Sequence, residues 1–497
     1  MQKNIMVESR AGMKRLSYET LKELGYEGYL LEKGTVRILQ YGEGNFLRAH
    51  IDHFIDIANE MKGTDNKVAV IQPIPAGRCE MLNEQDGLCT VYLRGVKNGE
   101  PVVDKRVISS VETAINPYAE YDRYISYASN PDMRIVVSNT TEAGIVYDPS
   151  SLMGQKPPVS FPAKLTQFLY ERYKAFGGAP EKGVIIISIE LIDHNGQELK
   201  RCVKEYIRQW GLEQSFSEWI ENANVFCSTM VDRIVTGYPF KEAEKLNAEN
   251  GYEDQLLDTA EPHAALVIEG PKEIEKELPF MDCGFPILVT DDCTPYKKKK
   301  VRLLNGIHTT LSPAAFVSGK NLVRDCVEDE QIHAFMYNTL KNEIAPVLTE
   351  FSEEEKDQYI KDLFDRFSNP FVDHMVTSIA LNTTAKWKAR VLPTVKEYVS
   401  MFGKAPKGLA AGFAGYVRFY HGDRFEDGLL AGDRNGEKYL INDDKAALDF
   451  FYENRALSEK ELAVKVMKNT AFWDEDLTQI EGFAEAVLSA LEGDLFS

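Results

Sequence analysis

Continuous apolar runs, rather than alternating ones, most limit how this chain can fold. VRIL (36–39), KVAVIQ (67–72), RIVVSN (134–139), GVIIISIEL (183–191), AALVIEG (264–270) and FPILVTDD (285–292) are rich in β-branched residues and present apolar side chains to both sides of a pleat. Such strands must be covered on both faces, as in a parallel sheet flanked by helices. Amphipathic stretches lie between the runs. In FLRAHIDHFIDIANEM, Leu47, Ile51, Phe54, Ile55 and Ala58 share one helical stripe. The alternation predicts an α/β fold with a doubly wound, Rossmann-like domain over residues 1–290. Beyond about residue 295, segments such as DEQIHAFMYNTLKNEIAPVL, EEEKDQYIKDLFDRF, GLAAGFAGYVRFY and EKELAVKVM carry helical periodicity instead. Residues 291–497 are therefore expected to form a mostly α-helical domain, where length alone suggests roughly three domains.

The first run ends in a glycine-rich turn, ILQYGEGNFLRAH. Gly42 and Gly44 bracket Glu43, and a helical pattern begins near Phe46. Glycines there permit a tight turn and let the backbone around Asn45 and Phe46 approach a pyrophosphate. The third small position of the full motif holds Leu47, so a plain strand–helix turn is the competing reading. Arg48 either adds charge to the phosphates or faces solvent. The second strand ends in Gln72 and Pro73, where an acidic residue would read the ribose of NAD. Gln72 can still hydrogen-bond a hydroxyl, and Arg78 leaves NADP open. Ser138, Asn139 and Thr140 follow a strand's carboxyl end, where ligands gather in open α/β sheets, unless they only cap the next helix.

A second cluster lies in KKVRLLNGIHTT (299–310). Counting back from Leu311 at helical spacing, Ile307 and Leu304 lead to Lys300, which sets this lysine on the inward stripe and leaves Lys298 and Lys299 off it. At about 100° per residue, His308 lies about 80° and Asn305 about 140° around the axis from Lys300. A lysine drawn inward loses proton affinity and becomes a usable acid and base. The bland alternative is a solvated lysine run, a capping Asn and a core His.

Composition narrows the partners. A net charge of −20 argues against general binding to nucleic acid or anionic membranes. MQKNIMVESRAGMKRL has no long apolar segment, and no run of about 18 apolar residues occurs anywhere, as suits a soluble cytoplasmic protein. The seven cysteines are scattered and never CxxC, as in a reducing compartment. His50 and His53 stand three apart without a Glu or Cys at ligand-like spacing, so no metal site is expected.

Taken in order, ILQYGEGNFLRAH, YLRG (92–95), VVSNTTEAGI, FPAKLT (161–166), SIELIDHNG (188–196), STMVDRIVTGYP (228–239), DTAEP (258–262) and KVRLLNGIHT (300–309) span nearly the whole chain. On these motifs the sequence resembles the mannitol dehydrogenase superfamily of polyol-specific long-chain dehydrogenases. The resemblance implies NAD as cofactor and hydride transfer without a metal. It implies that Lys300 is the general acid/base, that Asn305 and His308 hold the reacting oxygen, and that Asp232 of the VDRI segment serves catalysis. It further implies substrate contacts at Glu190 and Lys386. Two departures stand out. Polyol-acting members carry Asn after the acidic residue where this chain has Leu191 after Glu190, and the family's Arg eight residues before Lys386 is Ser378 here. The first departure points to a branch that acts on a small sugar acid, with no nucleic acid, membrane or obligate protein partner. The β-hydroxyacid dehydrogenases space their Lys and Asn four apart, whereas Lys300 and Asn305 are five apart. An anionic substrate in so acidic a protein needs a local cation, for which Lys386 and Arg302 are the candidates.

Overall fold

Each continuous apolar run becomes a strand in the computed structural model, which describes residues 13–496 apart from Glu142 and Asp427. The strands up to residue 115 are β1 (Thr35–Tyr41), β2 (Asn66–Ile71), β3 (Cys89–Lys97), β4 (Glu100–Ile108) and β5 (Val111–Ile115). They are followed by β6 (Ile135–Ser138), β7 (Ile185–Ser188), β8 (Val225–Asp232), β9 (Asp258–Ala260), β10 (Ala265–Glu269) and β11 (Ile287–Thr290). The chain divides into two compact units, Met1–Arg94 with Val103–Cys293, and Gly95–Val102 with Thr294–Ser497.

In the first unit the main sheet runs β5-β2-β1-β6-β7-β8-β10-β11. Pairing is parallel from β5 to β8, turns antiparallel between β8 and β10, and is parallel again to β11. The strand pattern explains the burial on both faces. Ile38, Val68, Val70, Val137 and Ile187 pack with Leu47, Ile51, Phe54 and Ala58 of the helical segment after β1. Their neighbours Leu39, Ala69, Ile71, Val136 and Ile186 pack on the opposite side with Leu165, Phe168, Leu199 and Val203. Each such side chain contributes roughly 1.5–3 kcal/mol on full burial, so both helical layers are held by the same strands. Register aligns Tyr41 with Ile71 and Ser138, and Ser138 with Ser188. Gly42, Gln72, Asn139 and Glu190 therefore emerge along one carboxyl edge, and the chain reverses direction across the sheet between β1 and β6. A smaller sheet, β4-β3-β9, completes the strands before residue 291.

The second unit is mostly helical around a core that includes Leu303, Ile307, Leu311, Trp387, Phe413 and Trp473. The helix Ile307–Val317 packs against Lys407–Phe419 at close range. A Cβ on Gly412 or Gly415 would collide with Thr310 or Ala314, so these glycines set the helix separation. A three-stranded antiparallel sheet, β12 (Arg424–Glu426), β13 (Leu429–Arg434) and β14 (Glu437–Ile441), was not anticipated from helical periodicity. Its sequence signal is Asn435-Gly436, with φ of 56° and 87°, the dipeptide that closes a tight hairpin. The hairpin tip Gly95–Val102 groups with this unit, where the N–H groups of Asn98 and Gly99 donate to the Asp365 carboxylate at 2.7 and 3.0 Å.

Candidate active site

Sterics explain the first glycine of the turn. Gly42 has φ 124°, and a Cβ there would lie 2.8 Å from the Asn139 carbonyl oxygen and 3.1 Å from Leu47 Cδ1. Gly44 differs: it is exposed, and a Cβ on it would meet nothing within 4 Å. The protein itself does not require glycine there, whereas close approach of a ligand would. The chain then runs helically from Asn45 to Lys62, through a π-helical turn at Arg48–Asp52.

Arg48 neither faces solvent nor presents its charge outward; its side chain is 1% exposed. Nη1 donates to the Glu43 carbonyl (2.6 Å) and Nη2 to Asn45 Oδ1 (2.7 Å), with Asp258 Oδ2 3.5 Å away. Arg78 also donates to Asn45 Oδ1, at 3.1 Å. The guanidinium therefore clamps both ends of the glycine turn. Burial pushes the Asp258 carboxyl up to about 7, with Arg48 opposing. Phe46 stacks on His50 with ring centroids 4.8 Å apart.

Gln72 and Glu190 also turn inward. The Gln72 amide donates to the carbonyls of Ile74 (2.9 Å) and Pro75 (3.0 Å), so its N–H groups hold the following loop. Glu190 is 2% exposed. Its carboxylate accepts from Ser138 Oγ, Thr140 N and Thr140 Oγ1, each at 3.0 Å. Burial raises its pKa, and the hydrogen bonds from Thr140 and Ser138 oppose that. Glu190 thus ties the loop after β6 to the end of β7. Asn139 N–H donates to the Tyr41 carbonyl (3.0 Å), which fixes that loop beside Gly42. Thr141 carries φ 77°, a backbone conformation costly for a β-branched residue. Asp232 is buried, with the His263 imidazole 3.7 Å away. Its neighbour Arg233 spends Nε and Nη1 on the carbonyls of Glu261 (3.0 Å) and Ala49 (2.6 Å).

In the second unit, Lys300 ends one helix, Asn305 lies in the π-helical turn Val301–Gly306, and His308 opens the next helix. The turn corrects the spacing expected for an α-helix. A π-turn closes its hydrogen bonds across five residues, which brings Asn305 round toward the side of Lys300. His308, three beyond Asn305, follows on the regular helix. The imidazole is 5% exposed, packs on Phe367 (centroids 4.3 Å) and meets His374 edge-on (5.2 Å). Its Nε2 is buried without a hydrogen-bond partner among the described residues. Burial, then the charges of His374, Arg366 and Arg390, hold its pKa well below the usual value, so the ring is neutral.

The lysine run is not a solvated face, because all four members are partly buried. Lys298 pairs with Glu350 at 3.3 Å, and Lys299 lies among the rings of Phe351, Tyr359 and Tyr296. Burial and then Lys300 lower the pKa of Lys297. Arg302, a candidate for the substrate carboxylate, is 8% exposed and committed elsewhere. It donates to Thr394 Oγ1 (2.7 Å) and Glu397 Oε1 (3.1 Å). Lys386 is half-buried and donates to the Ile379 carbonyl at 2.8 Å. Sequence reasoning passed over Asp258, although DTAEP was among the motifs, and Arg390, for which no local pattern exists. No group of three or more His, Cys, Asp or Glu side chains suited to a metal occurs among the described residues.

A nucleotide-type turn on a doubly wound sheet, joined in one chain to a helical unit carrying Lys-x4-Asn-x2-His, defines a class of metabolic dehydrogenase. Residues 36–281 match the Mannitol dehydrogenase Rossmann domain and residues 292–493 the Mannitol dehydrogenase C-terminal domain. The chain belongs to the mannitol dehydrogenase family. Among curated relatives, it is 41% identical over 480 residues to an altronate oxidoreductase of Enterobacter sp. (strain 638), covering 95% of this chain and 96% of that one. It is 42% identical over 463 residues to an altronate oxidoreductase of Escherichia coli O7:K1, covering 92% and 94%. In fold it is similar to a substrate-free D-sorbitol dehydrogenase (22% identity, TM-score 0.80, 96% and 97% coverage). It is also similar to the Pseudomonas fluorescens mannitol 2-dehydrogenase in ternary complex with NAD and D-mannitol (22% identity, TM-score 0.66, 96% of each chain).

Proposed function

We propose that this protein is an NAD-dependent oxidoreductase that interconverts D-tagaturonate and D-altronate. The observation that carries the reading is its 41–42% identity to altronate oxidoreductases over most of both chains. The residues fit a dinucleotide: Gly44 leaves open space, Gly42 permits the turn, and Arg48 with Asn45 stiffens it. Bound NADH supplies the hydride for reduction. The protein's own part is to polarise the ketone and deliver a proton. A neutral His308 and the Asn305 amide hydrogen-bond the carbonyl oxygen, and Lys300 protonates the alkoxide as it forms. In oxidation Lys300 takes the proton back. Neutrality of His308 matters, because a fixed imidazolium beside the lysine would oppose the lysine's charged form.

Steady-state kinetics with tagaturonate, fructuronate, fructose and mannitol, each with NAD(H) and NADP(H), test the proposal. Tagaturonate with NADH is expected to give the highest kcat/KM, with weaker activity on fructuronate and little on the neutral sugars. Fructose or mannitol used as well as the uronates would move the protein to another branch of the family, and NADPH used as well as NADH would overturn the cofactor assignment.

A further inference from the structure

The second unit contains a cation whose charge nothing in the fold requires. Arg390 lies in the π-helical turn Trp387–Val391 and is half-buried. Among the described residues its guanidinium has neither a hydrogen-bond acceptor nor a carboxylate. Other arginines of the same unit are engaged: Arg302 with Glu397, Arg324 with Asp373, Arg418 with Glu459 and Arg434 with Asn321. A guanidinium presents five N–H donors in a plane matched to a carboxylate, and withdrawing it from water without an acceptor is costly.

Its place in the fold is specific. The turn Trp387–Val391 packs on the turn Val301–Gly306. At Gly306 the approach is close: a Cβ there would stand 3.6 Å from the Arg390 carbonyl oxygen. Arg390 therefore abuts the segment that carries Asn305 and, two residues beyond the glycine, His308. Its charge is felt by His308 and by Lys386, four residues earlier at the end of the helix Thr383–Lys386 that leads into the turn. Of the other candidates for an anion, Arg302 is engaged by Glu397, and Lys386 gives one of its donors to the Ile379 carbonyl. Ser378, on the helix Val376–Ile379, brings no charge.

We propose that Arg390 binds the carboxylate of the sugar-acid substrate and thereby sets the preference for the acid over neutral polyols. The inference rests on the functional reading above and names the residue responsible for its specificity. Lys386 assists as a second cation, and the π-turn sets Arg390 on the wall beside Asn305. Binding the anion gives the guanidinium its missing acceptor, whereas a neutral sugar leaves it half-buried without one.

The test compares wild type, Arg390→Gln and Arg390→Lys on D-tagaturonate and on its uncharged methyl ester, with NADH affinity measured by fluorescence titration. Arg390→Gln is expected to raise the KM for tagaturonate roughly 10- to 100-fold, with NADH affinity and the KM for the ester unchanged. Arg390→Lys should recover part of the loss, since it restores charge without the planar fork. An unchanged KM for tagaturonate in Arg390→Gln, or equal losses on acid and ester, would overturn the proposal. If Arg390→Gln fails to bind NADH, Arg390→Lys carries the test, and a wild-type KM in that variant would overturn the proposal equally. Wild-type protein inert toward tagaturonate would instead remove the functional reading, and the role of Arg390 with it.

Discussion

Lys300, one of four adjacent lysines, is the one that immediately precedes the π-turn. Lys298 answers Glu350, and Lys299 sits over an aromatic ring. Lys300 stands at the start of the π-turn that leads to Asn305. Replacing it with Ala should lower turnover by roughly a hundred- to ten-thousand-fold, the usual share of a general acid/base. NADH binding should persist if the glycine turn of the first unit holds the cofactor, as proposed. Single-turnover measurements at saturating NADH check this; near-normal turnover in Lys300→Ala alongside a large loss in Lys297→Ala would give the role to the other lysine. Helical periodicity set Lys300 inward and Lys298 and Lys299 off the stripe, yet all four lysines are partly buried, because flanking segments cover the run. The commitments of Gln72, Glu190 and Arg302 were not legible in the sequence, since each depends on where a partner on a neighbouring loop or a distant helix falls.

At the scale of elements, the site depends on two departures from regular backbone. One is the turn at Gly42, where φ 124° and the Asn139 carbonyl 2.8 Å from a prospective Cβ leave room only for glycine. Gly42→Ala should cost about 1–3 kcal/mol in backbone strain alone, lowering both the melting temperature and NADH affinity. An unaltered NADH affinity would show that the turn does not hold the cofactor. The other is the wide turn Val301–Gly306. An α-helix would separate Lys300 and Asn305 by about 140°; the wider π-turn narrows that separation. Sequence periodicity could not reveal it, because the apolar spacing of Leu304, Ile307 and Leu311 is compatible with a straight helix. The close packing of Ile307–Val317 on Lys407–Phe419 through Gly412 and Gly415 then holds the turn's downstream end in place.

For the whole molecule, burial of carboxyl groups under the nucleotide turn shapes the pH response. Asp52 is fully buried, accepts one hydrogen bond from Gln40 Nε2 (3.1 Å) and leaves Oδ1 without a partner. Burial pushes its pKa from the usual 3.8 up to about 7. The folded state therefore holds this proton more tightly than the unfolded chain. Its contribution to stability is fully present below about pH 4, falls as the pH rises, and is lost above about pH 7. Asp52→Asn, which removes the titration, should flatten the decline in stability between pH 5 and 8 in denaturant unfolding. Parallel pH slopes for variant and wild type would exclude Asp52 as a source. Asp258, also raised to about 7, adds a component of the same sign.

What the sequence alone determined is what local chemistry encodes. Continuous β-branched runs made buried parallel strands, because such residues have no solvent face to offer. The glycine turn was readable from two residue types, and the Lys-x4-Asn-x2-His spacing from a single helical segment. Tertiary structure decided which charges stay available. Arg48 and Arg302 looked like ligands for anions and are consumed by Glu43, Asn45 and Glu397, whereas Arg390, unmarked by any motif, is left without an acceptor among the described residues. The physical reason is that a buried polar group is defined by its partners. Whether a near neighbour such as Glu43 or a residue 95 positions away such as Glu397 supplies them depends on how the backbone turns and packs.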